Sequence, residues 1–317
     1  MELISMQQEL PTLDFALLTD QVDVDQEALV FLEANTLAVG VDDLNETCTI
    51  PVFAKDNETT ISHNEFIMSV YQAVNQIYPC LQPKVRVSHP VKGRIPEARH
   101  KKAVDLLPHE ETLYYERMMF AIEIPSVKQQ VGDDMLTLTI GGVRSYHLEN
   151  LHSKKSQQRF KLFVGFKNRV CCNLCVWSDG YVEDLKALET YEIANCIREL
   201  VIKFKPEAML KEFARWKDIK MSEQQFAEFV GRCRMYLYMP KASKVGLPSL
   251  DYGDSQINKV VEGYYHDPSF PRDKDGSITL WNLYNLFTGA NKSSYIDRFL
   301  DRGVNAADLV RNLSFAL

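Results

Sequence analysis

The amino-acid sequence predicts an α+β protein in which an antiparallel sheet, formed by residues of about 112–177, packs with helices and is followed by a helical C-terminal region. Several segments in that range alternate apolar and polar side chains with the period of two that is typical of strands. After residue 187 the apolar side chains instead recur with the period of 3.6 that is typical of helices. Strands that are grouped before helices, rather than alternating with them, favour the α+β class.

The sequence before the sheet predicts two short strands and one helix. Residues 47–55 and 84–89 have the composition of strands, and the alternation in the second is that of an edge strand. Ser62 and Glu65 have the spacing of a capping box, in which each side chain satisfies a free backbone N–H group at the start of a helix. That helix is expected to bury a stripe of apolar side chains: Phe66, Ile67, Val70, Tyr71, Val74, Ile77 and Tyr78.

Four strands are predicted for the sheet itself: residues 112–124, 135–147, 159–166 and 170–177. The second of them alternates leucine and isoleucine with threonine, as a strand with one buried face does. The three residues 167–169 are few enough to form a tight hairpin turn between the last two strands. Residues 178–180, Ser-Asp-Gly, have the composition of a turn and are expected to end the last strand.

The C-terminal third is predicted to be helical. One helix covers residues 188–204 and packs against the sheet, and a second opens with a capping box at Ser222 and Gln225. Further helices are expected in residues 257–265 and 281–287, where apolar side chains again recur at helical spacing.

Charge is distributed unevenly along the chain, which has a formal net charge of −7. Residues 1–54 contain eleven acidic side chains and no lysine or arginine, whereas the rest of the chain contains 36 basic against 32 acidic side chains. We therefore expect an acidic, poorly ordered arm (1–47), a mainly β core with one helix (48–186) and a helical region (187–317). The last two parts are expected to form one compact domain, residues 48–317.

Composition argues against several classes of protein. The chain has no apolar run of the roughly 20 residues that span a bilayer, no secretory signal at its N-terminus, and seven cysteines without the spacing of a disulfide scaffold. These features predict a soluble, cytoplasmic protein that does not bind membranes. The sequence has no nucleophile elbow, phosphate loop or dinucleotide fingerprint, which favours a protein without enzymatic activity or cofactor.

Two segments resemble metal sites but lack the required ligands. Cys172 and Cys175 form a CxxC pair, but the sequence has no second pair, and two residues three apart on a strand point to opposite faces. We interpret them as core cysteines. The turn at Gly276 lacks the charged first and last ligands of a calcium loop, so Ser277 is interpreted as the N-cap of the next helix. No metal site is predicted.

Two basic segments provide the main candidate site. Residues 84–102 and 144–169 each contain seven lysines and arginines against one glutamate. Alternation places Arg159, Lys161 and Phe163 on one face of their strand, where cations can meet phosphates and the ring can stack on a base. The alternative is an ordinary solvated sheet face. The predicted nucleic-acid-binding residues are Arg144, Lys154, Lys155, Arg159, Lys161, Phe163, Lys167 and Arg169.

A polar stretch near the C-terminus is the second candidate. Residues 288–294 interrupt the helical pattern. With Gly289 as C-cap and Ser293 or Ser294 as N-cap, the stretch is a turn between two helices. In the alternative interpretation it forms an anion pocket at the N-terminus of the second helix, with four binding residues: Thr288, Asn291, Lys292 and Ser293.

Five phrases of the sequence resemble the domain-of-unknown-function family 3871: ISHNEFI, RVSHPVKGRIPEA, LTIGGVRSY followed by LENL and SKK, FKLFVGFKN followed by VCCN, and WNLYNLFTGANKSSYIDRFLDR. The resemblance covers residue 31 to the C-terminus. This family occurs in gut Bacteroidetes, often on plasmids or integrative elements, so the resemblance implies a mobile-element setting. The last phrase also resembles, more weakly, phage- and plasmid-related proteins of unknown function. Neither resemblance carries an activity or a site residue to this chain.

The sequence thus predicts a non-enzymatic accessory protein of a plasmid or phage that binds, protects or anneals single-stranded nucleic acid. The order of four strands and a helix is similar to that of single-strand annealing proteins, which is an analogy of topology. The acidic arm is expected to compete with phosphate for the basic face. The alternative is a protein-interaction or host-modulating factor whose acidic arm binds a protein partner. The choice between DNA and RNA and the oligomeric state stay open.

Overall fold

The computed structural model describes residues 32–47, 60–98, 100–149, 157–169, 171–245 and 247–314, and its strands are all antiparallel. In chain order the strands are β1 (Leu37–Val39), β2 (Lys84–Val87), β3 (Pro90–Arg94), β4 (Glu111–Tyr115), β5 (Arg117–Val131), β6 (Asp134–Ser145), β7 (Gln158–Asn168), β8 (Leu174–Ala187), β9 (Lys220–Met221) and β10 (Ile278–Thr279). Six of them form the main sheet, in the order β1-β2-β5-β6-β7-β8. This sheet and the helices that follow it confirm the α+β class.

A hairpin leaves the main sheet as a two-stranded ribbon. Val87 of β2 pairs with Met118 of β5, and Pro90 of β3 pairs with Tyr115 of β4 in the same register. β3 and β4 therefore continue the hairpin of β2 and β5 beyond the edge of the sheet. Residues 95–110 connect the two strands of the ribbon.

Two predicted strand boundaries are wrong. Residues 112–124, predicted as one strand, are divided at Glu116 between β4 of the ribbon and β5 of the sheet. The last strand does not end at residues 178–180, because these residues form a bulge at which the pairing with β7 shifts and β8 then continues to its end. At the bulge Gly180 passes so close to β7 that an added Cβ would lie 2.1 Å from the carbonyl oxygen of Val164.

Two smaller expectations about the strands also differ from the structure. β2 does not lie at an edge, as its alternation predicts, but between β1 and β5. The connection from β7 to β8 is longer than a tight three-residue turn, since β7 ends at Asn168 and β8 begins at Leu174. Cys172 lies in this connection with a φ of 55°, outside any strand.

The helices are α1 (Val41–Thr47), α2 (His63–Asn75), α3 (Thr190–Lys203), α4 (Pro206–Asp218), α5 (Glu223–Tyr238), α6 (Asp254–His266), α7 (Leu280–Asn291) and α8 (Ile296–Ser314). The capping boxes predicted at Ser62 and Ser222 are both confirmed, and each serine accepts a hydrogen bond from a backbone N–H three residues later. The N-cap of α7 is Thr279 rather than Ser277. Within the described parts of the chain, none of the helices has the length and apolarity needed to cross a bilayer.

The first core fills one face of the sheet. It joins Phe120, Leu162 and Phe166 of the strands to Phe66 of α2 and Ile197 of α3. The same core continues into the C-terminal helices, where the three tryptophans gather around Phe213 and Tyr284 in one aromatic cluster: Trp177, Trp216 and Trp281.

The second core fills the opposite face of the sheet and is covered by the first half of α8. Met119 of β5 and Phe163 of β7 pack there with Phe299 and Leu300 of α8. The second half of α8 reaches the first core, where Val310 is fully buried. A single helix therefore contributes side chains to both cores.

The N-terminal part of the described chain belongs to the folded body. Leu32 is buried in the second core, β1 pairs with β2, and α1 packs on α2. Residues 32–47, which the charge pattern assigns to the acidic arm, are thus held by the sheet and by α2. The strand predicted at residues 47–55 lies almost entirely outside the described residues, and Thr47 itself ends α1.

Candidate nucleic-acid interface

The predicted basic face of β7 exists, but it is covered. Arg159, Lys161 and Phe163 point to the same face of β7, as the alternation predicts, while Phe160 and Leu162 point into the first core. Phe163 is 0% exposed because α8 packs over it. The ring that the sequence assigns to base stacking therefore contributes to the second core.

The charge of Lys161 is already paired with a carboxylate of α8. Its Nζ donates to both carboxylate oxygens of Asp301, at 2.8 and 2.9 Å, and to the carbonyl oxygen of Asp297 at 3.1 Å. Tyr181 of β8 also donates to the Asp301 carboxylate. Burial, together with the negative charge of Asp301, raises the pKa of Tyr181, so its hydroxyl stays protonated and keeps donating. This network attaches α8 to the sheet.

Arg144 is a second cation of the predicted site that is buried together with a carboxylate. Arg144 is fully buried, donates from Nε to Glu149 at 3.0 Å, and lies over the rings of Tyr146 and Phe160. Its guanidinium is thus part of the structure of the sheet end rather than a surface for phosphates.

The remaining predicted cations divide into paired, exposed and undescribed residues. Arg159 donates from Nε to Asp184 at 2.6 Å, and Lys167 donates from Nζ to Glu123 at 2.7 Å. Arg169 is exposed at the end of β7. The last two, Lys154 and Lys155, lie outside the described residues. The described members of the predicted set are therefore not brought together as one open basic groove.

The polar stretch at residues 288–294 forms the last turn of α7 and most of the packed connection to α8. Thr288 donates to the carbonyl oxygen of Tyr284 at 3.2 Å, and Asn291 donates to that of Phe299 at 2.8 Å. Lys292 donates to the Cys171 carbonyl, and Ser293 donates to the Ala290 carbonyl at 2.7 Å. The four predicted anion-binding side chains thus direct these donors into the protein. Gly289 is not a C-cap, because α7 continues to Asn291.

The cysteines of the CxxC pair lie in or beside the core. Cys175 is fully buried and Cys172 nearly so, and burial raises the pKa of the Cys175 thiol, which keeps it protonated. A protonated thiol is a poor metal ligand. Across the residues that the structure describes, His, Cys, Asp and Glu side chains do not gather in threes at any point in a way that could hold a metal ion.

An open basic surface lies instead at the C-terminal end of α5. From residue 229 to residue 249 the chain contains four basic side chains and no acidic one: Arg232, Arg234, Lys241 and Lys244. The same segment exposes four large apolar side chains, Met235, Tyr238, Val245 and Leu247. We call this set of eight residues the α5 surface.

Helical spacing explains why α5 presents this surface. Phe226 and Cys233 face the core, so Arg232, Met235 and Tyr238, which follow each other at intervals of three residues, face solvent. Tyr238 is 84% exposed. Lys241 and Lys244 follow the C-terminus of α5, where a cation is favourable because that end of a helix carries a partial negative charge.

Contacts within the α5 surface fix part of it in place. The Nζ of Lys244 lies 4.5 Å from the centre of the Tyr236 ring, which holds the turn after α5 against the helix. Arg234 forms an ion pair with Asp254 at the start of α6, with 3.5 Å between Nε and Oδ1. Arg232, Lys241 and the Tyr238 ring remain turned outwards.

The sequence does contain a signal for this surface, but a count of charged residues over longer segments does not show it. The capping box at Ser222 and the apolar spacing after it predict the helix and its buried side, but they assign nothing to its outward side. An acid-free run that includes an aromatic residue on the polar side of a helix is the pattern that identifies the α5 surface.

Comparison with known proteins places the chain in a family. The family model described as "Domain of unknown function, B. Theta Gene description (DUF3871)" matches residues 12–317. The chain belongs to this family. The DUF3871 match includes every described element and part of the acidic N-terminal segment. No curated protein matches the chain, and no solved structure does.

Proposed function

We propose that this DUF3871 protein is a non-enzymatic protein that binds single-stranded nucleic acid through the α5 surface. The observation that carries the proposal is the exposed ring of Tyr238 in a segment with four cations and no carboxylate. Rings that stack on bases contribute about 1–3 kcal/mol each, and neighbouring cations attract the phosphates. The α5 surface provides both kinds of contact within one helix and the turn after it.

Single strands suit this surface better than a duplex. A base in a single strand can leave its neighbours and lie on the Tyr238 ring, whereas the faces of paired bases are already stacked. Met235, three residues before Tyr238 on α5, and Val245, in the turn after α5, are exposed apolar side chains of the same surface. DUF3871 membership is compatible with a mobile-element setting, which stays a prediction from the resemblance.

The first test is the affinity of the purified full chain for a labelled single-stranded oligonucleotide, measured by fluorescence anisotropy across a salt series and against duplex. We expect Tyr238→Ala to weaken binding by at least about fivefold, the change that corresponds to about 1 kcal/mol of stacking. We expect Lys241→Glu with Lys244→Glu to reduce the slope of log affinity against log salt by about 1.4, or about 0.7 for each phosphate that is no longer neutralised.

Matched controls separate this surface from general charge and exposure. Tyr191→Ala removes another exposed tyrosine, 62% exposed on α3, and should leave the affinity unchanged. Lys205→Glu with Lys211→Glu reverses two exposed lysines at α4 and should leave most of the affinity in place. Equal effects in the test and control variants, or no binding at low salt, would contradict the proposal.

A further inference from the structure

We propose that the acidic segment of residues 1–31 docks on the α5 surface of its own chain. The segment would then occupy the surface to which the proposed function assigns nucleic acid. The inference rests on that surface and on the position of the segment, and it does not require nucleic acid to bind.

The two segments are complementary in charge. Residues 1–31 contain seven acidic side chains and no basic one, and residues 229–249 contain four basic side chains and no acidic one. Such a pairing steers association and suppresses alternative contacts with surfaces of mixed charge. The carboxylates of the segment would meet Lys241 and Lys244 in the turn after α5, and Arg232, which follows the exposed Glu228 by one helical turn.

The two segments also match in apolar side chains. Met235, Tyr238, Val245 and Leu247 form an exposed apolar set of the kind that marks an interaction site. The acidic segment carries large apolar residues at short intervals in its middle: Leu10, Leu13, Phe15, Leu17 and Leu18. Docking would remove apolar surface from water on both sides, which charge pairing alone does not do.

The structure shows where the acidic segment joins the body. Leu32 is buried in the second core, and the backbone N–H of Glu33 donates to the carbonyl oxygen of Lys292 at 2.9 Å, in the connection between α7 and α8. In the same connection Ser294 accepts a hydrogen bond of 2.8 Å from Gln256, in the first turn of α6. That turn of α6 is the one that forms an ion pair with the end of α5. Successive contacts thus connect the first described residues with α6 and, through α6, with α5.

The family comparison gives a further reason to regard the segment as functional. The DUF3871 match begins at residue 12, so residues 12–31 belong to the region that defines the family. A docked acidic segment would act as a competitor for phosphate. Nucleic acid would have to displace it. The apparent affinity for nucleic acid would then be the intrinsic affinity multiplied by the fraction of molecules in which the surface is open.

The test is photo-cross-linking of the intact chain. A benzoylphenylalanine replaces Tyr238, which is exposed and so tolerates the exchange. After irradiation, digestion and mass spectrometry, we expect cross-links from position 238 to peptides of residues 1–31, with a yield that does not change across a dilution series. The same probe at Tyr191 on α3 is the matched control and should give no such cross-links. Adding Lys241→Glu with Lys244→Glu should lower the yield several-fold.

Three outcomes would overturn the inference. The first is that position 238 gives no cross-link to residues 1–31. The second is that the yield grows with protein concentration, which would assign the contact to a second copy. The third is that Tyr191 and Tyr238 give equal yields. Cross-linking without added nucleic acid is independent of the anisotropy test, so failure of either proposal leaves the other measurable.

Discussion

His63 is a buried histidine whose protonation state is tied to folding. It is the first residue of α2, its Nε2 lies 2.7 Å from the carbonyl oxygen of Tyr115, and its ring packs on Tyr146. Burial, and secondarily the positive charge of Arg144, lowers its pKa to about 3. The ordinary value in an unfolded chain is about 6.5. Folding therefore favours the neutral form of His63. The resulting stabilisation is fully present above about pH 6.5 and is lost as the pH falls towards 3.

The variant His63→Gln tests this linkage. Glutamine can still donate a hydrogen bond to Tyr115 but cannot take up a proton, so one source of acid sensitivity disappears. Between about pH 6 and pH 4 the free energy of unfolding of the unmodified protein should fall more steeply than that of the variant, by up to about 1.4 kcal/mol per pH unit. Urea unfolding at a series of pH values measures both slopes. Parallel curves would show that His63 does not titrate with unfolding.

Residue patterns predict which side chains share a face, but not what covers that face. The alternation of β7 correctly groups Lys161 with Phe163, because the period of a strand is a local property. The partner of Lys161 is Asp301, which is 140 residues away in the chain. No local pattern carries that contact, so the basic face looks open from the sequence.

The ribbon of β3 and β4 is a two-stranded sheet separate from the main sheet. Its last pair is Arg94 opposite Glu111, and residues 95–110 beyond it expose Val104 and Leu107. Replacing residues 95–110 by Asn-Gly should close the hairpin directly, because a two-residue turn joins paired strand ends. We expect the melting temperature to change by less than about 3 °C, which corresponds to about 1 kcal/mol in a chain of this size.

Circular dichroism during heating measures the melting temperature. The control is a larger deletion that removes the whole ribbon. Replacing residues 89–116 by Asn-Gly removes the whole ribbon, together with the ring contact between Tyr114 and Tyr146 and the hydrogen bond between His63 and the Tyr115 carbonyl. That larger deletion should cost more stability than the smaller one. If the smaller replacement alone lowers the melting temperature sharply, residues 95–110 stabilise the body and the ribbon is not independent.

Elements with local signals are predicted best. The helix starts at Ser62 and Ser222 follow from hydrogen bonds within four residues, so the sequence contains all that determines them. The predicted end of β8 is wrong because Ser-Asp-Gly is typical of both a turn and a bulge. What decides between them is the pairing with β7, which holds Gly180 against the backbone of Val164.

At the scale of the whole molecule, two periodicities predict the class, whereas charge does not predict the open surface. Charge counted over long segments favours residues 144–169, where most described cations have acidic partners from other elements. The shorter acid-free run at residues 229–249 is hidden by the acidic residues on either side of it. Net charge along the chain is a poor guide to the charge of a surface that tertiary contacts assemble.

α8 packs in both cores, and we expect it to make them one cooperative unit. Its first half holds Phe299 in the second core, and its second half holds Val310 in the first core and places the Arg311 guanidinium 4.3 Å from the centre of the Trp177 ring. Phe299→Ala removes a buried ring from the second core and should lower the free energy of unfolding by about 3–5 kcal/mol. Because α8 joins the cores, the denaturant midpoint seen by tryptophan fluorescence should shift together with that seen by circular dichroism.

The control Tyr295→Ala, at a position 66% exposed just before α8, should shift neither midpoint appreciably. A fluorescence transition that stays in place while the other moves would mean that the cores unfold separately, and that α8 covers the sheet without coupling its two faces.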